Sequence, residues 1–485
     1  MRVRVVDHHA YVVDLEARIP FHYGIASLTS VPHLLLRLEV EVEGDLHTGV
    51  AADSLPPKWF TKDPATSAGE DLAGMLASIE GACRIALEGG AAQSAFELWA
   101  RTQEEQLRSA GQPPLLAGLG VSLVERAVID ALCRARRTTL AGALRGDLLG
   151  IRLGALYPEL EGTPPSALLP DRPGRRITVR HTVGLADPLT GADLGAEERA
   201  GDGLPRTLDD CIREYGLTHF KIKLSGEGEA DLDRLRRIAT ILMRSAPQGG
   251  AFSLDANEQY PSVDALRDFW DRLERDPRLG PWLGRLLFIE QPLRRDLALG
   301  PDVAEALGRW PDRPPLIIDE SDDHPGRFGL ALERGYVGTS HKNCKGVFRG
   351  VASACLVSAR NRAAPARGGL LMTGEDLVNV GPVALTQDLA VAASIGLGHL
   401  ERNGHHYFRG LSGFPASVQG AVLERHPDLY RPHPQGFPTL AIERGRLRIG
   451  TVVDAPFGHQ VPIDWSQLTS LAEWRAAGSG ETAGD

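Results

Sequence analysis

Cysteine is scarce in this chain: five among 485 residues (Cys83, Cys133, Cys211, Cys344 and Cys355), odd in number and never in CxxC spacing. That suggests neither a disulfide framework nor a zinc site, and it makes a reducing cytoplasm the expected compartment. Long apolar runs are missing too. None approaches the ~18 residues of a membrane span, and the opening Met1 to His9 has no apolar signal core. Positive charge is in deficit, with 53 Lys and Arg against 63 Asp and Glu, a formal net charge of -10. Nucleic acid and anionic membranes are therefore not expected partners. What remains is ordinary for a soluble protein, 42% apolar and 24% charged, in a chain long enough for two or three domains.

Residues 34–42 alternate cleanly, with Leu36, Leu38, Val40 and Val42 on one face and Arg37, Glu39 and Glu41 on the other. This predicts a half-exposed antiparallel strand, paired with Thr48 to Ala52 and with the opening residues. Two flanking loops are expected, Phe21 to Ser27 and Leu55 to Phe60, each either packed on its own domain or facing a substrate. From about 64 to 145 the pattern turns helical, most clearly where Val121, Val124, Val128, Ala131 and Ala135 recur. A small sheet followed by helices reads as an α+β domain over residues 1–175. Its last part, from Glu161 to Gly174, is rich in Pro and Gly and reads as a linker or surface insertion.

Over 176–412 the rhythm becomes strand, loop, helix, repeated. Candidate strands are Ile177 to Val183, Thr218 to Leu224, Phe252 to Ala256, Leu286 to Glu290, Leu316 to Asp319, Gly338 to Asn343, Gly369 to Thr373 and Gly396 to Glu401. Eight such units fit a (β/α)8 TIM barrel, with seven strands or an open sheet as alternatives. Residues 413–485 hold a late pair of expected strands, Thr439 to Glu443 and Arg446 to Val452, and are expected to return to the N-terminal domain. Ala476 to Asp485 reads as a disordered tail.

Charged residues follow the apolar run in each unit, at the strand end where barrel enzymes keep their chemistry. Asp255, Glu290 and Asp319 end three consecutive strands with no His or Cys among them. Such an oxygen site suits Mg2+, with Glu320 as the alternative to Asp319. A metal there would hold a substrate carboxylate and stabilise the dianion formed when the adjacent carbon loses its proton. Lysine can serve as base if burial and neighbouring cations lower its pKa. Lys223, beside Lys221, and Lys342 come from the second and sixth strands and would approach from opposite sides, and Lys345 competes with Lys342. These charged ends follow in fixed order, each about 23 to 35 residues from the last.

Lys221-Ile222-Lys223, Asp255-Ala256-Asn257, Glu290-Gln291-Pro292, Asp319-Glu320-Ser321, and Lys342 followed by Lys345-Gly346 together resemble the enolase superfamily. The likeness is to its muconate-lactonizing-enzyme subgroup, within the mandelate racemase/muconate lactonizing enzyme family. The resemblance implies an α/β barrel with an N-terminal α+β capping domain completed by the C-terminal segment. It implies Mg2+ on Asp255, Glu290 and Asp319, an acid/base pair of Lys223 and Lys342, and an electrostatic role for Lys221. It also implies that the loops at Phe21 to Ser27 and Lys58 to Phe60 close over the substrate, and that Gly450 to Gly458 is the cap's returning tail.

The expected reaction is abstraction of the α-proton of a small-molecule carboxylate, giving a metal-stabilised enediolate. Racemisation or epimerisation comes first, with cycloisomerisation or dehydration through the same intermediate as alternatives, and a non-catalytic carboxylate-binding barrel as the reading of another class. Expected substrate-binding residues are Asn257, Tyr23, Trp59, Glu375, Glu401, Arg402 and His405. The aromatics, with Phe21, suit a partly apolar substrate; Arg402, His405 and Arg294 suit a second anionic group. The seventh strand ends in Gly374-Glu375-Asp376 without a histidine, which argues against a His/Asp base. A homo-oligomer is possible on the resemblance alone.

Overall fold

The computed structural model describes residues 1–109, 111–195, 201–246, 249–364 and 369–478. Three long antiparallel strands open the chain: β1 (Val3–Tyr23), β2 (Ala26–Val42) and β3 (Asp45–Ser54), in the order β1-β2-β3. Residues 21–27, expected as a loop, are instead the tip of the β1/β2 hairpin, where Tyr23 pairs with Ala26 and Gly24 supplies the positive φ of the turn. Three helices cover the sheet: α1 (Ala68–Glu88), α2 (Ala95–Ser109) and α3 (Pro114–Ala135). Ser67 caps α1 in a reciprocal box with Glu70. α3 is buried on nearly every face because it lies between the sheet and the barrel.

The barrel strands are β4 (Arg176–Val183), β5 (His219–Lys223), β6 (Ala251–Asp255), β7 (Leu286–Glu290), β8 (Leu316–Ile318), β9 (Gly338–His341), β10 (Leu371–Gly374) and β11 (His399–Arg402). Each pairs in parallel with the next, and β11 pairs with β4, so the sheet closes with eight parallel strands. Closure settles the alternatives of seven strands or an open sheet. The helices that bear on the site are α5 (Leu208–Tyr215), α10 (Val347–Ala363) and α11 (Ala384–Ile395), counted after the short α4 (Leu140–Arg145).

Residues 150–176 form short 3-10 turns strapped along α10, with Tyr157 Oη and Ser353 Oγ 3.0 Å apart and Ser358 Oγ donating to Leu168 O. The late pair of expected strands meets only in a bridge between Glu443 and Arg446. Pro438–Leu440 joins Tyr430–Pro432, while Arg446–Arg448 adds antiparallel to β4. Gly450–Asp454 packs on α11 of the barrel, so this stretch is not the cap's tail. The segment that reaches the cap is Thr469–Ser470, paired with Tyr11 and Val12 of β1, followed by Leu471–Ala476. Of the expected disordered tail, residues 479–485 lie outside the described ones. No helix among the described residues is long and apolar enough to cross a membrane.

Candidate active site

Strand alternation turns Thr178, Arg180 and Thr182 of β4 into the barrel, and likewise Lys221 and Lys223 of β5. Asp255, Glu290, Asp319, Lys342, Glu375 and Glu401 complete the ring at the C-terminal ends of the other strands, all buried. Five carboxylates thus face three lysines and one arginine. Lys221 sits at the centre, its Nζ 3.0 Å from Asp255, 3.1 Å from Glu290, 2.7 Å from Glu375 and 3.0 Å from Glu401. Burial alone would lower its pKa, but the four carboxylates outweigh it and hold Lys221 well above the usual lysine value.

Lys223 donates to Asp255 Oδ2 at 2.6 Å and to Asn257 Oδ1 at 2.9 Å. Lys342 donates to Asp319 Oδ2 and Glu375 Oε2, both at 2.6 Å, with Trp59 under its ammonium 4.8 Å from the ring centre. Lys342 and Lys345 differ in their hydrogen bonds. The three protons of Lys345 have three acceptors, Asp319 O, Asp319 Oδ1 and Ser340 O, at 2.7, 2.7 and 2.9 Å. Lys345 holds Asp319 in place, and Lys342 faces the cavity.

No family model matches the chain, and neither does any curated protein sequence. Solved structures do. A mandelate racemase/muconate lactonizing protein from Herpetosiphon aurantiacus superposes with a TM-score of 0.58 at 18% identity, over 95% of this chain and 99% of that one. A dipeptide epimerase from Enterococcus faecalis, complexed with Mg and the dipeptide L-Leu-L-Tyr, gives 0.57 at 14% identity, over 94% and 99%. An N-succinyl Arg/Lys racemase from Bacillus cereus gives 0.55 at 16% identity, over 84% and 89%. The chain has the enolase-superfamily fold.

In this barrel the donors for a cation are all oxygen. Oxygens of Glu290, Asp319 and Glu375 lie within 4.8 Å of one another. Glu290 Oε2 is buried and accepts no hydrogen bond, with Lys221 Nζ 3.1 Å away as its ion partner. Burial and the nearby Glu375 push the Glu290 carboxyl well above its usual range. A hard divalent ion such as Mg2+ fits this donor set. Asp255, one of the three expected ligands, has Oδ2 held by Lys221 and Lys223, and Glu375, expected on the substrate, supplies the third oxygen of this cluster. Glu320 turns away as alternation requires, accepting from Asn257 Nδ2 at 3.3 Å. Burial and Asp319 push its carboxyl up to about 7.

A cavity opens over these groups, lined by Phe21, Tyr23, Pro56 and Trp59 of the cap and by Lys223, Asn257, Lys342, Glu375, Leu377, Val378, Glu401 and Asn403 of the barrel. The cap loop is tied down. Tyr23 Oη donates to Pro57 O, and Arg295, paired with Glu258, donates to Trp59 O and Phe60 O. Arg402 and His405 do not join this cavity. Arg402 pairs outward with Asp376 and Asp388, and His405 Nε2 stands 3.2 Å from His181 Nδ1. Arg294 is at the surface, paired with Asp296.

Two residues were not singled out from the sequence. Arg180 lies under Glu375, 3.0 Å from Oε1 and 5.0 Å above the Phe288 ring; its signal was the inward polar alternation Thr178, Arg180, Thr182. Gln291, at φ 36°, accepts from Asp319 N and Ser321 N at 2.8 and 3.0 Å and so fixes the turn that aims Asp319.

Proposed function

We propose that this protein is a divalent-cation-dependent enzyme that removes the α-proton of a carboxylate substrate, with racemisation or epimerisation as the outcome. The observation that carries this is the placement of Lys223 and Lys342: strands two and six of eight stand on opposite walls, and both lysines line one cavity. A proton taken by one can be returned to the other face by the other. Glu290 and Asp319 would hold Mg2+, with Asp255 or Glu375 completing the set; bound there, the ion would stabilise negative charge developing on the substrate carboxylate. Lys223 must leave Asp255, and Lys342 must leave Asp319 or Glu375, before either acts as a base. Lys221, ringed by carboxylates, stays a cation. Phe21, Trp59, Leu377 and Val378 give the cavity an apolar wall for a substrate side chain. The racemase and epimerase among the similar structures agree with this chemistry.

The test is proton NMR in D2O with Mg2+ on pools of N-acylamino acids, dipeptides, amino acids and sugar acids. Wild type should lose an α-proton signal in one pool. Chelation should abolish the loss, and Lys223→Ala and Lys342→Ala should each slow it by about 10²–10⁴-fold. New signals of a lactone or an alkene would place the reaction with cycloisomerases or dehydratases instead. An acid that binds and shows no exchange would sink the catalytic reading.

A further inference from the structure

A second polar cluster stands outside the barrel lumen. His181 belongs to the outward register of β4, with Ile177, Val179 and Val183, and it faces Cys211 of α5 and His406 in the turn Gly404–Tyr407 after β11. One ligand atom from each of His181, Cys211 and His406 lies within 4.8 Å of the others, and all three residues are buried. His406 Nδ1 is 3.6 Å from Cys211 Sγ. Tetrahedral zinc, with Zn–S about 2.3 Å and Zn–N about 2.0–2.1 Å, holds sulfur and nitrogen roughly 3.6 Å apart.

Each imidazole is backed by another polar group. Asp187 Oδ2 is 3.8 Å from His406 Nε2, beyond hydrogen-bond length, and accepts from Gly184 N and Tyr407 Oη, while His405 Nε2 is 3.2 Å from His181 Nδ1. A ligating histidine has its second ring nitrogen facing another polar group, as His181 does here. The cluster is not a closed hydrogen-bond network, since Asp187 Oδ1 and His405 Nδ1 are buried without partners. Coordination would form the metal–sulfur bond to Cys211 and send the thiol proton to solvent.

We propose that His181, Cys211 and His406 form a second metal site, for Zn2+ or a similar thiophilic divalent ion, separate from the carboxylate site. Sequence spacing could not announce it, because its ligands come from three elements. The ion would tie the first barrel strand and helix to the turn after the eighth strand. That turn carries Tyr407, stacked 4.2 Å from Phe21 of the cavity lid. Metal loading would therefore stiffen the lid's seat without touching the substrate.

The test is to strip the reduced full-length protein with chelator and titrate Co2+ in excess Mg2+, which occupies the carboxylate site. One equivalent should raise a near-ultraviolet sulfur-to-cobalt charge-transfer band with the intense visible bands of a tetrahedral ion. Cys211→Ser should lose the charge-transfer band while keeping the far-ultraviolet circular dichroism of the wild type, and Asp187→Asn should weaken cobalt binding about 10–100-fold. Native mass spectrometry of wild type with Zn2+ checks stoichiometry without any variant, and one tightly held zinc is expected. Cobalt bound with no sulfur band, or a band that survives Cys211→Ser, overturns the proposal in favour of an ordinary S–H···N hydrogen bond.

Discussion

Asp319 is the most heavily braced side chain of the site, and its bracing shows how individual residues set the chemistry. Lys345 and Ser340 Oγ hold one carboxylate oxygen, Lys342 holds the other, and Gln291 holds the backbone below. Replacing Gln291 with Leu leaves two buried N–H groups, of Asp319 and Ser321, without an acceptor, at a cost of about 1–3 kcal/mol each. Gln291→Leu should therefore lower stability in urea unfolding and weaken Mg2+ binding by calorimetry. Equal affinity in wild type and variant would show that the brace does not aim Asp319. Lys345→Met should act in the same direction by removing one of the two donors to Asp319 Oδ1, whereas Lys342→Met should spare stability more than turnover.

Among the elements, the junction of α3 with α10 matters most to the site. Gly346, at φ 103°, turns the chain from the Lys342 loop into α10, a conformation that favours glycine. The first N–H groups of α10, from Val347 and Phe348, are accepted by Glu125 of the cap helix α3 at 3.1 and 2.6 Å. Burial, opposed by these two hydrogen bonds, pushes the Glu125 carboxyl up to about 7. A carboxyl raised in the folded state binds its proton more tightly there than in the unfolded chain. Its contribution to stability is then fully present below about pH 4.3, the unfolded value, and is lost as pH rises through about 7. Glu125→Gln keeps an acceptor and cannot titrate. The difference in melting temperature between wild type and variant should thus shift against wild type from pH 4.5 to 7.5, and a pH-independent difference would refute the assignment. This junction was hidden in the sequence: the periodicity of α3 marked a helix, but Glu125 read as one more polar residue because its partners lie more than 200 positions away.

At the scale of the whole molecule, cap and barrel are joined by buried polar pairs and by the returning C-terminus. Arg126 of α3 pairs with Asp53 of β3 at 2.6 Å, and Asn379, in the loop after β10, donates to Asp53 and accepts from Ser54 N. Arg126→Met would leave the Asp53 carboxylate buried and unpaired, a loss of about 3–5 kcal/mol, checked by chemical unfolding. At the far end, Leu468, Leu471 and Trp474 are buried and Trp474 Nε1 donates to Asp14. Deleting residues 468–485 should cost roughly 1.5–3 kcal/mol per large apolar side chain exposed and uncover the edge of β1. A lower melting temperature and a greater tendency to associate are expected by calorimetry and light scattering. An unchanged melting temperature would show that this clasp is decorative.

The sequence by itself determined the eight-fold strand rhythm and the order of charged strand ends, because both are local: period-two alternation decides which side chains face inward, and a short apolar run ending in charge marks the mouth of a barrel. It carried Lys221, Lys223, Asp255, Glu290, Asp319 and Lys342 to one place without any contact being known. Only the tertiary structure decided how those charges pair. Closure of β11 onto β4 brings Glu375 and Glu401 to Lys221, draws Lys223 onto Asp255, and leaves Glu375 rather than Asp255 beside Glu290 and Asp319. Arg402 and His405 fall outside the cavity for the same reason, since the strand that turns Glu401 inward turns Arg402 outward to Asp376 and Asp388. Lys221 and Glu401, 180 residues apart, meet only when the barrel closes, and no local pattern encodes that meeting.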